Sequence, residues 1–417
     1  MALAAAVLAA LVASATPSAP PALGEAAPRV TTAEAQARLR DVSAAVERLR
    51  GLKFKTPVPM EIVDGATARA SLKTRIEAGA EEQARHTDEA YVQLGLMPRG
   101  KGMIESYLDL TEKDMLGYYE HDRKTFVLLS HVSAEEAETV MAHELTHALE
   151  DQHYDLDAVS RQAGSDDDRA TAIRAVVEGS ATAVMIAYFS SSGREKKARE
   201  EIEKGDAQRA RRLKGAPSFM QRSLILPYVL GFTFLLRGAP WEWVLDGLQL
   251  ADIGTAYAHP PRSTRQILHP EQYWVGRDPP PAPALELPDL SPVLGAGWSR
   301  ATTGSIGELG LAVLTGAPLD LESPEVLLPS RWTNKAASGI VADLYHHYVN
   351  GDRRVTVLVT RWETNEDARE FDQAFVNRGQ RLFRFGANVC VLAGDLGDKG
   401  EALAGAALQG MKYWQSE

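Results

Sequence analysis

Cysteine is nearly absent: Cys390 stands alone in 417 residues. An intramolecular disulfide is therefore excluded, and so is a thiolate metal cluster; any metal must be held by His, Asp or Glu. Excess positive charge is also missing. The net charge is −11, with 45 Lys and Arg against 56 Asp and Glu, which argues against a nucleic-acid partner. Long apolar runs are missing from the body of the chain. "LILPYVLGFTFLL" (224–236) is short for a membrane span and is interrupted by Pro227 and Gly231, so it reads as a buried core helix. No internal repeat is visible. What remains is ordinary for a globular protein, 45% hydrophobic and 24% charged, with length for two or three domains.

The first residues read as an export signal. "LAAAVLAALVASA" (3–15) is apolar and ends in Ala13-Ser14-Ala15, a small-residue cleavage pattern, although no Lys or Arg precedes it. The expected plan is a signal peptide over 1–15, a linker over 16–30, a first domain over 31–277, a Pro-rich linker over 278–292 and a C-terminal domain over 293–417. Beyond the leader no membrane span is expected, and the location is periplasmic or extracellular. Oligomeric state is not legible.

Helical periodicity marks 32–52 and about 66–95, with a strand in "KFKTPVPMEIVD" between them. "GYYEHDRKTFVLLS" (117–130) reads as a hairpin turning at His121, Asp122 and Arg123. Ser133 and Glu136 then form a capping box that opens the next helix. A second helix is expected over 169–189, and a charged, solvated one after it. In the C-terminal part "RRVTVLVTRW" alternates like a strand, Thr364 caps a helix, "LFRFGANVCVLAG" gives one or two strands, and the chain ends in a helix. The fold class is α+β.

The helix opened by Ser133 carries "HELTHALEDQH" (143–153), which contains the HExxH signature of zinc hydrolases. Residues four apart lie on one helix face, so His143 and His147 can ligate one zinc ion. Glu144 projects beside such an ion and is placed to act as general base. Val140, Met141, Leu145, Ala148 and Leu149 make the helix largely apolar, and buried polar groups on it need partners.

Two residues compete to be the third ligand. His153 stands ten residues after His143, the count of HExxHxxGxxH zinc proteases. That pattern needs a glycine seven residues after the first histidine, where the chain turns left-handed, and Glu150 stands there. If the helix runs through Glu150, His153 lies about 240° around the axis from His147 and faces away. Glu178, in "AVVEGSATAVM", sits in an otherwise apolar helix where a carboxylate needs a partner, either a metal or Arg174 one turn earlier. Gly179 and Ala181 beside it are small enough for close approach of the metal helix.

With these stretches in view, the sequence resembles a group of poorly characterised, exported bacterial proteins of the gluzincin type, in which HExxH is completed by a Glu from the next helix. The likeness rests on "LRGLKFKTPV" (49–58), "LGYYEHDRKTFVL" (116–128), "HELTHALEDQHYDL" (143–156), "AVVEGSATAVM" (175–185) and "HPPRSTRQILHPEQY" (259–273). It implies a zincin-like catalytic domain, with a mixed sheet, an HExxH helix and a Glu-bearing helix, followed by a C-terminal α+β domain. It also implies His143, His147 and Glu178 as zinc ligands, Glu144 as base, and peptide or protein substrates. Ser180 and Arg265 depart from the pattern, which has acidic residues there.

The supporting residues stay open. Asp151, Asp155 and Asp166 to Asp168 are candidates to hold the histidine N–H groups. His269, ahead of Arg262 and Tyr273, is the candidate to stabilise the oxyanion. The strand hairpin before the metal helix is either an edge that pairs with substrate or an interior element. The expected function is a zinc metallopeptidase; the alternatives are a non-catalytic zinc-stabilised envelope scaffold and a zinc hydrolase of a non-peptide bond.

Overall fold

A computed structural model describes residues 29–414, apart from 101, 104–105, 107–114, 165, 192–212, 214, 238–251, 275–283 and 377. The leader expected over 1–15, most of the first linker and nearly all of the charged helix after 191 lie outside the described residues. The protein is α+β.

Helix α1 (Thr32–Arg50) begins at a Thr31–Glu34 capping box and ends at Gly51, whose positive φ suits glycine. Strand β1 (Met60–Val63) leads into the long helix α2 (Gly65–Leu94). Strands β2 (Gly117–Glu120) and β3 (Thr125–Leu129) form the expected hairpin, turning over His121 to Lys124. β1 adds to β3 in parallel, so the order is β1-β3-β2, with β3 interior and β2 at the edge. Ser133 and Glu136 form the expected capping box and start helix α3 (Ala134–Tyr154). Helices α4 (Leu156–Arg161), α5 (Asp167–Ser191), α6 (Ser218–Leu235), α7 (Asp252–Ala258) and α8 (Thr264–Leu268) follow, and a single turn at Pro270–Tyr273 ends this part.

Burial dictates this arrangement. α3, α5 and α6 are apolar on most faces and are buried rather than lying on the surface: α5 packs between α3 and α6, α1 covers α3 and α5, and α8 and the helix Gly307–Leu314 pack against α6. Among the described residues α5 is long and apolar enough to cross a membrane, but it is largely buried inside the protein.

The second part is built on a five-stranded sheet of order β5-β6-β7-β9-β8. Its strands are β5 (Ser299–Gly304), β6 (Ile340–Asn350), β7 (Arg353–Trp362), β8 (Arg381–Phe385) and β9 (Asn388–Gly394), all antiparallel to their neighbours. Helix α9 (Gly307–Leu314) precedes β6, α10 (Asn365–Ala374) starts at the expected Thr364 cap, and α11 (Gly400–Gly410) comes last. Strand β4 (Ala284–Glu286) pairs with β10 (Lys412–Trp414), and Leu287 and Leu290 are buried. Residues 284–290, expected as linker, are thus built into the second part: Leu285, Leu287 and Leu290 are interspersed with Glu286, Pro288 and Asp289 and have a surface to cover. The boundary between the two parts is not clean either. Ala90, Tyr91, Leu94, Leu96 and Met97 at the end of α2 pack into the core of the second sheet.

Candidate metal centre

α3 sets His143 and His147 one turn apart and buried, with their rings edge to face at 4.7 Å. α5 crosses beside them and presents Glu178. Its Oε2 lies 3.1 Å from His143 Nε2 and 3.5 Å from His147 Nε2. The three donor atoms fall within 4.8 Å of one another, so one metal ion could be held among them. Arg174, the other partner considered for Glu178, instead donates to the Ser223 carbonyl at 2.6 Å. Burial opposes charge on Glu178, but hydrogen bonds from the two histidines hold its carboxyl well below the usual range. Burial likewise opposes charge on His147, and the Glu178 carboxylate outweighs it, raising the imidazole to about 9.

Glu144 stands outside the trio. Its Oε2 accepts the backbone N–H of Tyr119 at 2.8 Å, which ties the acid to edge strand β2. Burial raises its pKa against the pull of the two histidines.

His153 does not join the trio. α3 runs unbroken through Glu150 to Tyr154, and His153 Nε2 meets the Lys53 carbonyl at 2.8 Å on the far side. Glu150, where a glycine would be needed, is fully buried. It accepts from Arg50 Nε at 2.5 Å, Ser180 Oγ at 2.5 Å and Tyr257 OH at 2.6 Å. That bond accounts for a serine at 180: a second carboxylate there would face Glu150. Arg265, the other departure, clamps the two parts together through the carbonyls of Ser338 and Ile340 and through Glu363.

The aspartates considered as partners for the histidines are used elsewhere. Asp151 accepts from Tyr119 OH, Lys124 Nζ and Leu156 N. Asp155 caps α4 through Ala158 N, and Asp166 accepts from Arg169 N. Asp167 accepts from Tyr91 OH, and Asp168 from Thr264. Nδ1 of His143 and of His147 has no hydrogen-bond partner among the described residues. His269 is not brought to the trio. Its Nε2 lies 3.0 Å from both oxygens of Glu308, a fully buried residue of α9 that needs a donor. Tyr273 donates to the His259 carbonyl, and Arg262 lines a separate cleft between the two parts.

A cleft of about 640 Å³ opens against Glu178. Its walls include Val177, Phe219, Leu224, Leu309 and, at the β2–β3 turn, His121. Among the described residues His121 Nδ1 is buried without a hydrogen bond, with Asp157 Oδ1 3.9 Å away, and burial, then the nearby His147, lowers its pKa. Sequence reasoning treated His121 only as a turn residue; a histidine at the tip of the hairpin that precedes an HExxH helix was the available signal.

Gly179 allows a close approach, but to α6 rather than to α3. A Cβ there would lie 2.3 Å from the Gly231 carbonyl carbon.

In comparison with known proteins, one family matches, described as "Domain of unknown function (DUF8575)", over residues 294–395. That is about a quarter of the chain and lies wholly in the second part. No curated protein matches, and no solved structure matches.

Proposed function

We propose that the protein is an exported zinc-dependent hydrolase that cleaves peptide bonds. The observation that carries this reading is the meeting of His143 Nε2, His147 Nε2 and Glu178 Oε2, with a further acid, Glu144, held beside them and left out of the set. Two imidazole nitrogens and one carboxylate oxygen are a donor set suited to zinc that leaves a coordination position open, and a purely structural site has no use for Glu144. When bound there, zinc would supply Lewis acidity and bring the pKa of a water towards neutrality.

The protein's own groups supply the rest. Glu144 takes the proton of the attacking water and returns it to the leaving amine. The Tyr119 N–H fixes the carboxylate during both transfers. His121, which lines the same cleft as Glu178, is the donor to the carbonyl oxygen in place of His269. The apolar walls of the cleft take side chains of an extended substrate, which can lie along edge strand β2.

Replacing Glu144 by Gln removes the base and keeps the ligands. Peptide hydrolysis by this variant should fall by roughly 10²–10⁴-fold while zinc is retained. Glu178→Ala should lose one zinc equivalent and His153→Ala should lose none. Full activity in the Glu144 variant, or loss of zinc in the His153 variant, would overturn the proposal.

A further inference from the structure

Two histidines and a glutamate meet a second time, away from the HExxH helix. His86 and Glu89 stand three residues apart on α2 and share one of its faces. His347 comes from β6, in the other part of the molecule. His86 Nδ1 lies 3.1 Å and His347 Nε2 3.2 Å from Glu89 Oε2. These spacings match the 3.1 and 3.5 Å of the first trio, and the donor atoms again fall within 4.8 Å of one another. His86 is 8% exposed and His347 is 0% exposed.

The hydrogen bonds around His347 fix which atom it presents to Glu89. Gln93 Nε2 donates to the Arg354 carbonyl at 3.1 Å. That contact fixes the amide, because the flipped group would set oxygen against oxygen. Gln93 Oε1 therefore accepts from Thr356 Oγ1, at 2.6 Å. A hydroxyl has one proton, so towards His347 the threonine is an acceptor, and the 2.8 Å contact is donated by His347 Nδ1–H. In a neutral imidazole Nε2 then carries a lone pair, and it faces a carboxylate oxygen 3.2 Å away. Two acceptors in that position repel unless a cation stands between them. A second proton on the ring would serve Nε2 alone; a metal ion would serve both histidines and the glutamate together.

We propose that His86, Glu89 and His347 form a second metal site, for a divalent transition-metal ion such as zinc, that fastens α2 to the second sheet. The surroundings are those of a ligand shell. The Thr356 bond to Nδ1 is the outer contact that metal-binding histidines commonly make, and it sets the tautomer. Arg354 donates through Nε to Glu89 Oε2, the oxygen shared with the histidines, at 2.8 Å and through Nη2 to Oε1 at 3.3 Å, and ligating carboxylates are commonly hydrogen-bonded in this way. The site does not depend on the hydrolase reading, since no residue is shared with the first trio.

Zinc alone is the probe. Full-length protein is stripped with chelator, re-equilibrated with zinc and dialysed, and the metal is counted per chain. His86→Ala, at the rim of the site, should bind one equivalent less than the unsubstituted protein. His143→Ala should lose a different equivalent, and the double variant should lose both. Thr356→Val should keep the fold by circular dichroism and weaken the His347-dependent equivalent by roughly 10–100-fold. If His86→Ala and Thr356→Val, both folded, bind zinc as the unsubstituted protein does, the second site does not exist, and the cluster is a protonated hydrogen-bond network. If His86→Ala removes one equivalent and His143→Ala removes none, the second site stands and the proposed catalytic centre falls.

Discussion

Glu150 has no place in the HExxH motif, yet its carboxylate joins three helices to α3: α1 through Arg50, α5 through Ser180 and α7 through Tyr257. The Arg50 side chain is 4% exposed and that of Glu150 is 0% exposed, so the pair sits in a region where removing one charge costs far more than a surface bridge is worth. Glu150→Ala should destabilise the fold by about 3–5 kcal/mol, because it leaves a buried guanidinium without its carboxylate. Ser180→Ala removes one neutral donor and should cost only about 1 kcal/mol. Denaturant unfolding of the two variants checks the ranking; equal, small effects would mean that the carboxylate does not hold the helices. The same residue decides which side chain meets the two histidines. A good helix former at 150 keeps α3 going, and that continuation turns His153 away from the centre.

At the level of elements, the position of Glu178 depends on how closely α5 lies against α6. A Cβ on Gly231 would sit 2.0 Å from the Ala175 carbonyl oxygen, and backbone cannot move aside as a flexible side chain can. Gly231→Ala should therefore push the helices apart, cost at least about 1–3 kcal/mol and lower zinc uptake by displacing Glu178. Gly405→Ala, on α11 with nothing within 4 Å of the added carbon, should be neutral or stabilising by up to about 1 kcal/mol. Thermal melts and zinc counts on both variants test the difference. Elements of this kind were legible wherever a local signal exists. The box at Ser133, the cap at Thr364, the turn after Glu120 and the alternation of 353–362 all lie within a few residues of what they define. The trio was legible because its spacing is a helix period and Glu178 is a lone acid in an apolar run. What was not legible depends on distant chain: that Gly179 serves α6, that β4 pairs with β10, and that His269 is held by Glu308. Nor does local sequence say that His86 and Glu89 meet a histidine about 260 residues further on.

The two parts of the molecule are joined by carboxylates as well as by α2. Asp166, Asp167 and Asp168 open α5 and face the second part, where Ser305 donates to Asp166 and Tyr345 to Asp167. From that side Asp343 accepts the N–H groups of Ile306 and Gly307 at the start of α9. Burial raises the pKa of Asp167 and Asp168, and burial with repulsion from Asp166 pushes Asp343 up to about 7. A carboxyl whose folded pKa lies above its unfolded value binds its proton more tightly in the native state. Its contribution to stability is complete below about pH 4 and is lost as pH rises through about 7. Asp343→Asn keeps one acceptor for the α9 amides and removes the titration. Its cost from the lost acceptor should be the same at every pH, while the unsubstituted protein weakens as Asp343 ionises. Relative to that protein, Asp343→Asn should therefore gain stability from about pH 4 to about pH 7 and level off above that. Melting curves of the two proteins across that range decide it. Curves that stay parallel would mean that Asp343 is ionised throughout and that the junction tolerates its charge.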